Sequence, residues 1–489
     1  MKNLFTKRKF LLPLLAGIGV GLYPVLFYYS RNYEMVNSVH HLSRFLLYFI
    51  IVPAIAFWTI YVFFSYEKLK KLRKYVLPFL SVFVFLFFLK MCLHTGLQKK
   101  IIAGIFVVAV LSAWFLHKHL LKIIGLQYIL ALIGLAGLGS TLIERNSYTT
   151  EWKTQPDDIE NISFNNKPNI YFIQPDGYVN FSELNQGYYQ ISDTSFKSFL
   201  NKKGFTTYDH FRSNYDATLS SNSSIFTMKH HYYEGSTAAH EMPNARQTII
   251  SDNPVLRILK KNGYKTAFLA ENPYLVSNRP KPGYDYINFE YSELPFLDSK
   301  LELRKEITPD LSQAMIEFQG EPSFFFIEIF DPKHISGSKK GENLVEEKRR
   351  EYIRDLENAN RTLTNVIETI LSKDEDGIIV LMADHGGYVG MEYLQQGNEF
   401  TTDQNKIRSI FSSLLSIRWP EGNAPPEDDK FKTSVNVFRL LFSYLSEDKS
   451  LLDHLQEDSS YMKITSGAEE GVYKVIDENG VVISSIRER

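Results

Sequence analysis

The feature that most restricts what this chain can fold into is the run of apolar residues in its first 143 positions. Five stretches, 10–29, 45–64, 75–93, 101–116 and 123–143, are almost free of charge. Most approach the roughly 20 residues a helix needs to cross a bilayer, and the fourth is the shortest. Hydrocarbon offers no partner to backbone N–H and C=O groups, so such stretches fold as helices. The first is long for a secretory leader, lacks a small-x-small cleavage site and is followed by four more. An N-terminal five-helix transmembrane bundle over residues 1–143 is expected, in a multi-pass protein of the cell membrane.

Charge orients that bundle. Lys2, Lys7, Arg8 and Lys9 precede the first run, Lys68, Lys70, Lys71, Arg73 and Lys74 separate the second from the third, and Lys118 and Lys122 separate the fourth from the fifth. The opposite connections carry only Arg31 and Arg44, then Lys99 and Lys100. Positive residues stay on the cytoplasmic side, so five spans leave the rest of the chain outside the cytoplasm. Residues 1–145 hold seventeen Lys and Arg against three acids, and the remainder holds 37 against 52. An acidic remainder argues against nucleic acid as a partner, because phosphate contacts need clustered Lys and Arg. The single cysteine, Cys92, sits in an apolar run. That excludes an intrachain disulfide, a thiolate zinc cluster and a cysteine nucleophile beyond the bundle.

Residues 144–168 are polar and aperiodic and read as a tether. From 169 onward strand-like and helix-like runs alternate, which indicates an α/β domain over 169–460 with a central mixed sheet flanked by helices. The expected strands are 169–173, 265–269, 324–330, 378–382 and 410–417, and the expected helices are 255–262, 342–372 and 435–445. The tail, 461–489, reads as a hairpin around Asn479-Gly480.

Chemistry concentrates where strands end. Residues 378–382 are uniformly apolar, as in a strand buried on both faces, and stop at Asp384, His385 and two glycines. An Asp beside a His offers one hard oxygen and one imidazole nitrogen, a pair suited to a divalent metal. The first strand also ends in an acid followed by glycine, Asp176-Gly177. Residues 213–228 are rich in hydroxyl and amide side chains that favour a helix start. Two acids, a histidine and a hydroxyl from separate strand ends can hold one cation and present an alkoxide to an open position.

This set resembles the alkaline phosphatase superfamily, in particular the membrane-bound sulfatase-like branch that includes lipoteichoic acid synthase. The resemblance covers the whole chain: spans, tether, domain. It implies that Asp176, Thr218, Asp384 and His385 bind one divalent metal, Mn²⁺ or Mg²⁺ with Zn²⁺ as the alternative. Thr218, followed by Ser221 and by Ile225-Phe226-Thr227, matches the nucleophile position, and residues 434–441 resemble the branch's closing helix. Arg279 in Asn278-Arg279 matches a phosphate-binding arginine, although the neighbouring Trp of that segment is absent. His334 in Asp331-Pro332-Lys333-His334 matches a substrate histidine displaced by one residue. His230, His231 and His240 have no assigned partner and read as surface or pocket-rim residues. The implied activity is transfer of a phospho-alcohol group, phosphoglycerol first, from a membrane lipid headgroup to a glycan or polyol through phospho-Thr218. The alternatives are hydrolysis of phosphoric or sulfuric esters, phosphoethanolamine transfer, and a non-catalytic glycan-binding role in the envelope.

Overall fold

The computed structural model describes residues 2–94, 96–235, 242–294, 303–335 and 344–483. The chain divides into two compact units, Met1–Tyr148 and Thr149–Arg489. His240 and the last six residues of the tail lie outside the described residues.

In the first unit, four helices among the described residues are long and apolar enough to cross a membrane: Leu11–Arg31, Val39–Phe63, Arg73–Leu93 and Lys99–Lys153. Five were expected. The fourth and fifth apolar runs fall inside the last of these, as Lys99–Leu116 and Leu120–Ser147 joined by the single 3₁₀ turn His117–His119. No Gly or Pro stands at 117–119, yet the backbone leaves helical geometry at Leu116 (φ −108°, ψ 10°) and again at His119 (φ −107°, ψ 17°), so two separate helices meet at one tightened turn. Small residues allow close packing elsewhere in the unit. A Cβ on Gly17 would lie 2.5 Å from the Ala54 Cα, and one on Gly21 would lie 1.7 Å from the Phe49 carbonyl oxygen. Helix backbones meet at these two glycines, as apolar bundles without a hydrophobic driving force between helices require.

The second unit is built on a mixed sheet that has seven strands among the described residues. They are β1 (Ile170–Pro175), β2 (Phe205–Thr207), β3 (Lys265–Ala270), β4 (Tyr286–Ile287), β5 (Ser323–Ile329), β6 (Ile378–Met382) and β7 (Leu415–Arg418). Their order is β2-β7-β6-β1-β5-β3-β4. Central β1 is parallel to β5 and β6, while β7 runs antiparallel to β6 and β2. Every residue of β1, β5 and β6 is buried, which accounts for apolar runs broken only by Gln174 in β1 and by Ser323 and Glu328 in β5.

The alternation of side chains across the sheet builds two cores. Tyr171 and Ile173 face the helix Leu344–Leu371, whose Leu356, Ala359, Leu363 and Ile367 recur at helical spacing. Ile170 and Phe172 face the helices Thr218–Thr227, Pro254–Lys261 and Val437–Ser446. There the Phe172 ring lies 5.1–6.1 Å from those of Phe226, Phe326 and Phe438, and such aromatic pairs add about 0.5–1.5 kcal/mol each beyond area burial.

Two expectations are corrected, and a third is extended. Residues 404–411 form a helix, Gln404–Phe411, and the strand β7 begins only at Leu415. The Asp403 side chain accepts from the Asn405 and Lys406 amides and caps the helix, whose buried Ile407, Ile410 and Phe411 share one face. The tether is shorter than 144–168. Helix continues to Ser147, while Ile159 and Phe164 are buried in the second unit's core and Asp157 pairs with buried Arg439 at 2.5 Å. In the tail, the main ladder is β8 (Ser460–Ile464) against β9 (Gly471–Ile476), antiparallel. The Asn479-Gly480 turn adds one bridge, Ile476 to Val482.

Candidate active site

Asp176 follows β1 directly, and its turn needs the glycine beside it. Gly177 has φ +65°, and a Cβ there would lie 2.9 Å from the His334 nitrogen. Asp384 and His385 follow β6 at the next position of the sheet, again at a carboxyl end. The glycines after them let the loop press against its neighbours. A Cβ on Gly386 would meet the Ser409 carbonyl at 2.3 Å, and one on Gly387 would meet the Tyr352 ring at 2.2 Å. Thr218 is the first residue of its helix, half-buried, after an exposed and extended Ala217.

These ends converge. The Nε2 of His385 lies 3.4 Å from Asp176 Oδ1, 3.4 Å from Asp384 Oδ2 and 3.4 Å from Thr218 Oγ1. Two of the remaining atoms are already used. His385 Nδ1 is 2.8 Å from the Gly386 carbonyl, which makes it the donor nitrogen and leaves Nε2 a bare lone pair. Asp384 Oδ1 accepts from the Gly177 and His385 amides at 3.1 and 2.9 Å. Among the described residues Asp176 Oδ1 and Asp384 Oδ2 are buried with no hydrogen-bond partner.

Two orphaned carboxylate oxygens facing a bare imidazole nitrogen fit a divalent cation. Ligands about 2.1 Å from a tetrahedral metal stand roughly 3.4 Å apart. Burial and the charge of Asp384 push the Asp176 carboxyl up to about 7, with His385 opposing.

The hydroxyl-rich stretch is tied into the same region. Ser221 Oγ donates to the Asp384 carbonyl at 2.6 Å, and Gln174 and Asn222 exchange reciprocal amide hydrogen bonds at 2.8 and 2.9 Å. His334 stands beside the group, its ring 5.8 Å from that of His385, with Nδ1 2.9 Å from the Ile335 carbonyl. Burial lowers its pKa, which keeps it neutral. Arg279 is elsewhere occupied: its guanidinium donates to the carbonyls of Leu294 at 2.8 Å and of Ser277 and Tyr291 at 3.4 Å. None of those described contacts involves Asp176, Thr218, Asp384 or His385. His230 and His231 are buried rather than at a surface. Stacking on Tyr215 and hydrogen bonds to main-chain groups hold His231 there.

Sequence reasoning missed several side chains around this centre. Glu328 on β5 is buried with Oε2 unpartnered among the described residues. Its pKa is pushed well up by burial, then by Asp176 and Asp384. An acid inside the apolar run Phe324–Ile329 was the available signal. Tyr352 donates to the Gly177 carbonyl at 2.9 Å and accepts from the Val179 amide at 3.1 Å, and Tyr189 accepts from the Gly387 amide at 2.9 Å. Nothing in the sequence separates those tyrosines from ordinary core residues.

The sulfatase family model matches residues 179–446, a stretch that includes Thr218, Arg279, His334, Asp384 and His385 and starts just after Asp176. No curated protein matches the chain. Among solved structures it resembles the C-terminal periplasmic domain of EptC from Escherichia coli at 11% identity and TM-score 0.44, over 64% of this chain and 95% of that one. It also resembles the lipoteichoic acid synthase LtaP from Listeria monocytogenes at 15% identity and TM-score 0.41, over 67% and 91%. A third likeness is to the lipooligosaccharide phosphoethanolamine transferase A of Neisseria meningitidis at 12% identity and TM-score 0.42, over 85% and 77%.

Proposed function

The chain belongs to the sulfatase family, and from that premise we propose that it is a membrane-anchored, metal-dependent phosphotransferase with Thr218 as nucleophile. The observation that carries this reading is the set of three 3.4 Å separations around His385 Nε2, with Thr218 Oγ1 as one of the three atoms. A divalent cation held by Asp176, Thr218, Asp384 and His385, Mn²⁺ or Mg²⁺ with Zn²⁺ as the alternative, would supply Lewis-acid stabilisation of the ionised threonine oxygen.

The Thr218 oxygen attacks phosphorus, its bond to phosphorus forms, and the bond to the lipid alcohol breaks. The free nitrogen of neutral His334 takes the proton that Thr218 gives up and returns it to the departing alcohol oxygen. The start of the Thr218–Thr227 helix adds partial positive charge near the phosphoryl oxygens. Arg279 clamps the phosphate by exchanging its Leu294 contact for phosphate oxygens. An acceptor hydroxyl of a glycan or polyol, or water, then displaces Thr218 from phosphorus. Phosphorus rather than sulfur is favoured because threonine cannot be oxidised to the aldehyde that sulfatase chemistry generally needs. Phosphoglycerol is the leading donor group, ahead of phosphoethanolamine.

The helical unit supports a lipid donor. At 1.5 Å per residue the Lys99–Lys153 run would extend about 80 Å, more than twice a bilayer's hydrocarbon thickness. Its first half packs on Arg73–Leu93 and its second on Lys2–Arg31. This favours two crossings that turn at His117–His119 beside Lys118 and Lys122, with the sheet unit outside the cytoplasm. The test uses the full chain with Mn²⁺ and vesicles of fluorescent phosphatidylglycerol. Diacylglycerol release that falls by about a thousandfold or more in Thr218→Ala is the expected result. No release from phosphatidylglycerol or phosphatidylethanolamine vesicles would overturn the enzyme reading and favour a glycan-binding role.

A further inference from the structure

Tyr388 follows the Asp384–Gly387 turn immediately and is held in a conformation its side chain disfavours, with φ +61°. Non-glycine residues adopt that region rarely, and where they do the surroundings fix them there. Here the surroundings are complete. The Tyr388 amide donates to the Ser409 carbonyl at 3.2 Å, and the ring is buried, 5.7 Å from both His385 and His334. A Cβ on Gly397 would lie 2.4 Å from that ring, so a glycine there makes room for it. The Tyr388 hydroxyl donates to the main-chain carbonyl of Asp216.

Asp216 stands two residues before Thr218, and the one residue between them, Ala217, is exposed and extended. The Ala217 carbonyl accepts from the Ser221 amide at 2.8 Å and opens the helix, so the Asp216 carbonyl anchors the chain one residue before that start. Its carboxylate is held from two other sides, by the Tyr233 hydroxyl and by Asn398 Nδ2 at 3.2 Å. We infer that Tyr388 is a positioning residue: it ties the loop that carries His385 to the segment that carries Thr218, and so sets the approach of the threonine oxygen. The inference rests on the reading of Thr218 as nucleophile. Tyr388 contributes no atom to the Asp176, Asp384 and His385 group and acts on Thr218 alone of the four proposed ligands, so loss of its hydroxyl costs turnover more than cation affinity.

The test is Tyr388→Phe in the full chain, which keeps the ring and removes one hydrogen bond. Turnover of fluorescent phosphatidylglycerol is expected to fall about fivefold to tenfold in kcat. KM and the Mn²⁺ affinity measured by calorimetry stay within twofold. A kcat within twofold of the parent overturns the inference, and so does a loss of Mn²⁺ affinity as large as the loss of kcat. If Tyr388→Phe does not fold, Tyr233→Phe carries the test. It loosens Asp216 from the other side and is held to the same split. Turnover that survives Thr218→Ala defeats the nucleophile reading itself. An inactive Thr218→Ala beside a normal Tyr388→Phe defeats only the role given to Tyr388.

Discussion

Two buried histidines touch the first turn of the Thr218–Thr227 helix, and their nitrogens are used differently. His231 satisfies both on main-chain groups: Nε2 lies 2.9 Å from the Ser220 carbonyl, and Nδ1 accepts from the Tyr233 amide at 2.8 Å. Burial pushes its pKa down to about 3, so it is neutral scaffold. His385 is sealed as completely but satisfies only Nδ1 and turns Nε2 toward two carboxylate oxygens that have no other partner among the described residues. Burial does not distinguish the two residues. Unused hydrogen-bonding capacity does, and it suits one to the proposed ligand role and the other to support.

The sharpest test of that contrast is a pair of alanine substitutions. His385→Ala should lower Mn²⁺ affinity by about a hundredfold or more, since loss of even an outer partner of a metal ligand typically costs 10–100-fold. His231→Ala should leave Mn²⁺ affinity unchanged in calorimetry. Denaturant unfolding should instead register a loss of about 1–3 kcal/mol from the stranded Ser220 and Tyr233 groups. Equal losses of affinity in both variants would end the comparison. Next in size is Gly387→Ala, where the added methyl meets the Tyr352 ring. Overpacking of this kind costs about 1–3 kcal/mol, and the shifted loop should weaken Mn²⁺ binding as well. Unchanged unfolding would show that the loop is softer than its contacts imply.

The smallest effect is in pH. The folded Asp176 carboxyl sits near 7 against an unfolded value of 3.8. Its contribution to metal-free stability is full below about 3.8 and is lost as pH climbs through about 7. A cation takes the ionised form, so the rise in Tm on adding Mn²⁺ should grow across that window and level off above it. His231, depressed from 6.5 to about 3, has the opposite sign: its contribution is full above 6.5 and lost as pH falls through about 3. It responds to pH equally with and without cation, so the difference between the two scans isolates the metal group. A Tm increment that is flat from pH 5 to pH 8 would remove Asp176 from it.

How much of this could be read from the sequence follows from how each residue signals. Asp176, Asp384 and His385 interrupt apolar runs, and polarity at the end of a buried strand is visible without coordinates. The central strands were visible for the same reason, since burial on both faces leaves a mostly apolar word. The helix Gln404–Phe411 was misread because Ile410 and Phe411 extend an apolar run that continues into β7, and only the Asp403 cap separates the two. The apolar runs of the first unit were plain, but whether two of them join depends on a three-residue junction with no Gly or Pro. Tyr388, Tyr352 and Tyr189 were invisible because their hydroxyls find main-chain partners, and main-chain positions exist only after folding. Arg279 was singled out by its neighbours in sequence, yet its described contacts are carbonyls of its own loop region.

The position of β1 has a consequence for the order in which the second unit comes into being. It is the earliest strand to leave the ribosome, and it lies at the middle of the sheet, where Ile170 meets Phe324 on one side and Ile378 on the other. Neither neighbour exists while the first half of the unit is being made. Nascent β1 is therefore an apolar segment with two open edges, and contacts this distant in sequence form slowly. Both acids that face His385 are brought together by that late pairing, so the centre assembles only after β6 and the turn that follows it have been made.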